Sequence, residues 1–312
     1  MESLITCLNA IVPIFFIIAV GYAAKRAGII RETEVPRMNA VAFKVFMPVM
    51  CFYNVYHSEL SSAVRPKLFV FTFAAILLVF FASLLYAVKR VSVRSRRSVV
   101  VQGLYRSNFL ILGVAYVTGL MGEGNLGAVS VMGALVAPTF NVLAVILLES
   151  YNGKKPSAKK LAVDIAKNPL IVGSLAGLAF LVLGVTLPDP LELAVRDISR
   201  AASPLLLFLL GAFFHFGDAK EHLRELIAVS VGRLVVIPAV TLSAAVALGF
   251  RGADLATLLA VFATSTAVAS FTMAEQMGGD AKLAGNIVVV TSACASFTLF
   301  AWSMLLKLLN LL

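Results

Sequence analysis

Residues 101–114 read VQGLYRSNFLILGV. Apolar runs flank Arg106, Ser107 and Asn108, and Gly113 follows closely. A charge, a hydroxyl and an amide thus interrupt a stretch that otherwise has the composition of a membrane span. Hydrocarbon solvates none of these groups, and each is costly there without a partner. What they bind is therefore the question on which the architecture turns.

The rest of the chain puts this stretch in a bilayer. Of 312 residues 60% are hydrophobic and only 13% charged, with a mean hydropathy of +0.96, well outside the range of soluble domains. Apolar windows of about 20 residues recur throughout, each long enough to cross roughly 30 Å of hydrocarbon as a helix. The polar and apolar alternation of a membrane barrel is absent from the pattern. The reading is an all-α integral membrane protein of a plasma or bacterial inner membrane. The start, MESLITCLNAIV, carries an acid and no basic flank, so the first helix is expected to be retained rather than cleaved as a signal peptide. Cys7, Cys51 and Cys294 sit in apolar stretches without metal-ligand spacing and read as small buried hydrophobes.

Ten helices are expected, near 4–24, 36–56, 67–88, 98–121, 126–148, 168–187, 194–216, 225–249, 255–277 and 281–309. The loops after the odd-numbered helices carry most of the bases, among them Lys25, Arg26, Lys89, Arg90, Arg94, Arg96, Lys159 and Lys160, whereas those after the even-numbered ones hold only Arg65, Lys67, Arg196, Arg200 and Arg251. By the positive-inside rule both termini face outward. The formal charge of +10 follows from this bias, and its division among short loops argues against nucleic acid as a partner.

Displacing the sequence by 156 residues superposes Pro13 on Pro169, Gly21 on Gly177, Gly28 on Gly184, Pro48 on Pro204, Met121 on Met277 and Gly122 on Gly278. Five helices per half make the second half enter the membrane in the opposite sense. The expected domains are a first repeat over 1–148, a basic cytoplasmic linker over 149–167 and a second repeat over 168–312. Inverted repeats of this kind place a transporter's substrate site near the midplane, where discontinuous helices meet. The fourth helix, with SNFLILGVAYVTGLMG (107–122), and the ninth, with STAVASFTMAEQMGG (265–279), are the candidates: hydroxyl and amide residues can cap a helix that restarts, and Gly113 can serve as a flexible link. Freed N–H groups at a half-helix start would favour an anion.

These residues resemble the auxin efflux carrier family, which includes plant PIN proteins and bacterial relatives. The similarity runs along essentially the whole chain. Plant members carry a stretch like PNTLVMGIPLLKAMYG, to which NFLILGVAYVTGLMG aligns without a gap, and PQGIVPFVFAKEYN, which matches STAVASFTMAEQMG at Phe271 and Ala274. The runs PTFNVLAVILLESYNG (138–153) and GDAKLAGNIVVVTSACAS (279–296) look like bacterial members. The resemblance implies a fold similar to bile-acid and sodium/proton transporters. Helices 1, 2, 6 and 7 would form a scaffold, helices 3–5 and 8–10 a mobile body, and helices 4 and 9 would cross at the substrate. It also implies homodimerisation through the scaffold. Plant members place a proline at each crossing, where this chain has Ala115 and Ser270, so auxin itself is not inferred.

The candidate substrate-binding residues are Asn108, Asn141, Gly113, Ser107, Arg106, Ser265, Thr266, Ser270 and Thr139. Lys44, Arg106 and Arg233 lie about seven to ten residues into their spans, or roughly 10–15 Å at 1.5 Å per residue. Snorkelling to the headgroups accounts best for Lys44 and Arg233, while Arg106, beside the break, stands between that role and holding a ligand. Pro48, Pro138 and Pro204 read as determinants of helix shape. No Asp or Glu falls at the centre of a span, so any coupling ion needs another device, and no cofactor is implied. His57, His215 and His222 are scattered and give no catalytic dyad or metal cluster. The expected function is transport of a small organic anion, with a ligand-binding sensor on the same fold as the alternative and an enzyme disfavoured.

Overall fold

The computed structural model describes residues 2–57, 65–121, 127–151, 158–215 and 221–312. The expectation placed on Gly122 lies outside them. The described residues form α1 (Glu2–Arg26), α2 (Val35–Val41), α3 (Met47–Tyr56), α4 (Pro66–Arg90), α5 (Arg94–Tyr105), α6 (Val114–Met121), α7 (Gly127–Tyr151), α8 (Ala158–Ala166), α9 (Pro169–Leu183), α10 (Asp189–Phe213), α11 (Leu223–Val231), α12 (Ile237–Ala247), α13 (Gly252–Ala263), α14 (Ala269–Gln276) and α15 (Ala281–Leu308). Among them there is no strand, only one isolated backbone bridge. Four continuous helices are each long and apolar enough to cross a membrane: Val35–Tyr56, Pro66–Arg90, Leu223–Ala247 and Ala281–Leu308. Lys159–Ala166 and Pro169–Leu183, bent by 62°, meet the same criterion as a pair. Leu78, Phe81 and Leu85 on α4 and Val172, Leu175 and Val182 on α9 are exposed, as expected where the solvent is lipid.

Two of these helices carry a π-helical turn, Ala42–Phe46 joining α2 to α3 and Gly232–Val236 joining α11 to α12. Each stands just before a proline, Pro48 or Pro238. A proline removes one helical N–H and its ring crowds the carbonyl four residues back, and a widened turn relieves both. The prolines thus shape helices, and the second π turn carries Arg233, to which the site owes much.

Small residues set how closely the helices approach. α1 packs on α10 and α3 on α9. A Cβ on Gly21 would fall on the Phe208 carbonyl and one on Gly211 on that of Ile18, while Gly173 and Gly177 stand likewise against the carbonyls of Pro48 and Phe52. Backbone contact of this kind is the usual glue where lipid removes the hydrophobic drive between helices. The basic connector contains a structured element: within 149–167, Ala158–Ala166 is an amphipathic helix, because Leu161 and Ile165 stand four residues apart on one face and Ile165 packs on the core.

Candidate functional site

Two helices stop inside the structure and restart. α5 ends at Tyr105 and helix resumes at Phe109 as a π turn, Phe109–Gly113, that runs into α6. α13 ends at Ala263 and α14 begins at Ala269. The interrupted backbones satisfy each other. Asn108 N donates to the Ser265 carbonyl at 2.8 Å and Ala267 N to the Arg106 carbonyl at 3.1 Å, an antiparallel bridge between Ser107 and Thr266. Non-helical backbone survives at this depth only when buried and paired in this way.

The C-terminal ends of both half-helices are closed by one side chain. Arg233, fully buried, donates from Nε to the Thr264 carbonyl at 2.9 Å, from Nη2 to Val261 at 2.9 Å, and from Nη1 to Leu104 at 3.2 Å and Tyr105 at 3.5 Å. Each helix end presents roughly half a negative charge. Two such ends supply about the countercharge that one guanidinium needs, so Arg233 is stable without a carboxylate. The snorkelling expectation for Arg233 is therefore overturned: the proline-induced π turn directs its side chain inward onto four carbonyls. Lys44, by contrast, is exposed, in keeping with a stem that reaches outward.

Gly113 also departs from expectation. The breaks run through Arg106 (φ −90°, ψ 106°), Asn108 (φ −81°, ψ 48°) and Thr264 (φ −76°, ψ 164°), backbone angles open to any residue. No left-handed link is present, and Gly113 lies in the helix beyond. Its small size serves packing: a Cβ there would come within 3.1 Å of the Ala260 carbonyl.

A narrow cavity of ≈ 80 Å³ opens beside the first break. Arg106, Ser107, Asn108 and Asn141 line it, with Met50, Cys51 and Asn54 of α3, Ser174 of α9, Ser203 of α10 and Ala267, Val268 and Ala269 at the start of α14. Leu110, Ile111, Val136 and Phe140 supply apolar wall. Arg106 is buried, and its Nη2 donates to Asn141 Oδ1 at 2.6 Å while Nη1 reaches Gln102 Oε1 at 3.3 Å. Asn141 is fixed in turn by a bond from its Nδ2 to Cys51 Sγ at 3.2 Å. Among the described residues no carboxylate pairs with Arg106. Asn108 Nδ2 and Ser107 Oγ are buried without a hydrogen-bond partner among the described residues. The starts of α14 and of the helix at Phe109 meet the same cavity, each bringing unpaired N–H groups and partial positive charge. A cation, an amide donor and two helix starts thus give this apolar recess a positive electrostatic character.

The other candidates lie elsewhere. Thr139 donates back to the Leu135 carbonyl at 2.7 Å. Thr266 Oγ1 donates to the Gly103 carbonyl at 2.8 Å, its N–H donates to Thr291 Oγ1 at 3.1 Å, and Ser265 Oγ lies 3.2 Å from Ser292 Oγ. Ser270 faces a tight space with Gln102, Thr266 and Ala284 rather than the cavity. The cavity residues the sequence did not single out, Ser174, Ser203 and Asn54, come from helices of ordinary composition, and only the fold brings them near Arg106. Asn39 of α2 accepts from Thr272 Oγ1 at 2.9 Å and donates to Glu275 Oε2 at 2.8 Å, fastening α14 to the first helices.

A profile of the family described as membrane transport protein matches residues 6–303. The chain is 22% identical over 310 residues to an uncharacterized transporter of Methanocaldococcus jannaschii and 21% identical over 303 residues to one of Methanothermobacter thermautotrophicus, in each case across 96% of this chain and 98% of the relative. Near end-to-end coverage, together with the helical membrane fold, makes this a transport protein rather than an enzyme. The chain belongs to the auxin efflux carrier family of membrane transport proteins.

Proposed function

We propose that this protein carries a small organic anion, a carboxylate on an apolar body, across the membrane by alternating access. The observation that supports this most is Arg106, a buried cation with no carboxylate partner among the described residues, beside the unpaired Asn108 amide and two helix starts. In this reading the chain crosses the membrane ten times as two inverted five-helix repeats with both termini outside. The 156-residue offset carries α1 onto α9 and α3 onto α10, so that it turns the close pairing of α1 with α10 into that of α9 with α3, which supports that symmetry. The cavity lies between α3, α9 and α10 on one side and the first break, α7 and the start of α14 on the other. A seam between two helix groups is where an elevator movement would expose a site to each side in turn. On this topology Asn54 and Val55, near the end of α3, would lie toward the outer side of the cavity, and the Asn39, Thr272 and Glu275 contacts toward the inner one. A homodimer through the first, second, sixth and seventh spans rests on the family resemblance.

The deciding experiment is uptake into proteoliposomes of a panel of carboxylates under imposed pH, sodium and voltage gradients. At least one member should accumulate with saturable kinetics, and Asn108→Ala should abolish the flux while leaving the protein folded. Saturable binding with no flux under any gradient would instead make the chain a sensor. Normal flux in the Asn108→Ala variant would remove that residue from the site.

A further inference from the structure

Away from the crossing, α4 and the α11–α12 helix leave an apolar groove of ≈ 410 Å³ lined by Phe71, Ala75, Leu78, Ala82, Val236 and Val240. It runs along α4 from Phe71 to Tyr86, about 22 Å at 1.5 Å per residue. That exceeds the ~15 Å depth of one leaflet of a 30 Å hydrocarbon core. At Tyr86 the groove meets a second recess, of ≈ 230 Å³, formed by Arg90, Ser92, Arg96, Arg224 and Glu225. Tyr86 lines both, so a continuous surface passes from largely apolar to basic at the end of α4. Arg96 is already engaged, 3.6 Å from Glu225 and 3.1 Å from Asp280. Arg90 and Arg224 are exposed and form no ion pair or hydrogen bond among the described residues. The single carboxylate in the recess is thus taken by Arg96, and two guanidinium groups remain.

We propose that this surface is a binding site for an anionic glycerophospholipid, with the phosphate between Arg90 and Arg224 and one acyl chain along the α4–α12 groove. A free phosphate would use the recess and leave the groove empty, whereas a zwitterionic lipid would fill the groove without satisfying both arginines. Basic recesses between membrane helices are suited to anionic headgroups, and planar guanidinium groups to phosphate oxygens. The site has a route to the crossing: the groove floor includes Leu104 and Gly232, and the Leu104 carbonyl and the residue after Gly232 are the two partners in the Arg233 contact.

The test is delipidation of the full chain in detergent, followed by native mass spectrometry and thermal unfolding with added dioleoylphosphatidylglycerol, dioleoylphosphatidylcholine or glycerol 3-phosphate. One phosphatidylglycerol per chain should be retained and should raise the unfolding temperature. At about fivefold per arginine, the Arg90→Gln/Arg224→Gln variant should bind it roughly thirtyfold more weakly. Ala82→Phe, which fills the groove from an exposed position, should weaken retention with both arginines in place. Both variants should keep the gel-filtration profile and lipid-free unfolding temperature of the parent. Equal retention of phosphatidylcholine, unchanged binding by either variant, or equal stabilisation by glycerol 3-phosphate would each overturn the proposal.

Discussion

The two helix breaks use the same backbone device and opposite side-chain chemistry. At the second, Thr264 donates to the Ala260 carbonyl at 2.9 Å, Thr266 to that of Gly103 at 2.8 Å, and Ser265 meets Ser292. These three hydroxyls are spent on holding protein to protein, and only Ser270 Oγ, in the tight space beside Gln102 and away from the cavity, has no partner there among the described residues. At the first, among the described residues, Arg106 has no acid and Ser107 and Asn108 keep buried atoms unpaired. Buried polar groups are almost always satisfied in native proteins, and those that are not call for an explanation. One break is a brace, then, and the other keeps hydrogen-bonding capacity in reserve, as the proposed anion site requires. A polar residue's presence at a crossing does not say which; its remaining hydrogen-bonding capacity does.

Arg233 serves both breaks, and its removal should have the largest effect. Arg233→Met should cost about 3–5 kcal/mol, read as a large fall in the unfolding temperature in detergent. Arg233→Lys should recover little of it, since an ammonium cannot span carbonyls on two helices. A lysine variant as stable as the parent would show that charge alone suffices. Next comes Arg106→Gln, which should weaken anion binding roughly ten- to hundredfold, one charge-assisted hydrogen bond being worth about 1.5–3 kcal/mol. Its unfolding temperature should hold or rise, because a buried unpaired charge has gone. A loss of stability comparable to that of Arg233→Met would make the first break a brace as well.

Thr266→Val sharpens the contrast from the other side. It should cost about 1–2 kcal/mol of stability by orphaning the Gly103 carbonyl, while anion affinity stays within twofold. Loss of affinity with unchanged stability would move the second break into the receptor. The smallest effect is expected of Gly113→Ala, where the helix gains about 0.5–1 kcal/mol from the exchange and loses a similar amount to the Ala260 contact. Flux near the parent value is the expected reading. Abolished flux with intact stability would restore a hinge role to this glycine.

Much of this was legible in the sequence, for reasons that also mark the limits. Apolar periods and terminating charges located the helices, and Asn108 and Ser265 betrayed the interruptions because polar residues at mid-span are costly. The fate of each polar group was not legible, since it is decided by partners far away in the chain. Arg233 read as a snorkelling base because depth was counted along its own helix, whereas its orientation follows from the turn widened before Pro238 and its partners lie 28 to 129 positions away. Gly113 read as a link because glycine permits unusual backbone, but the break uses ordinary angles. Ser174 and Ser203 carry no signal of their own.

The absence of an acidic partner for Arg106 has an electrical consequence. An anion in the cavity cancels one charge, so the empty site is more positive than the loaded one by a single unit. Carried across the field, that difference is worth about 2.3 kcal/mol per 100 mV. Under the anion-carrying cycle proposed above, a membrane potential negative inside would draw the empty site inward relative to the loaded one, and that cycle would run most readily as export, with voltage acting on the return stroke.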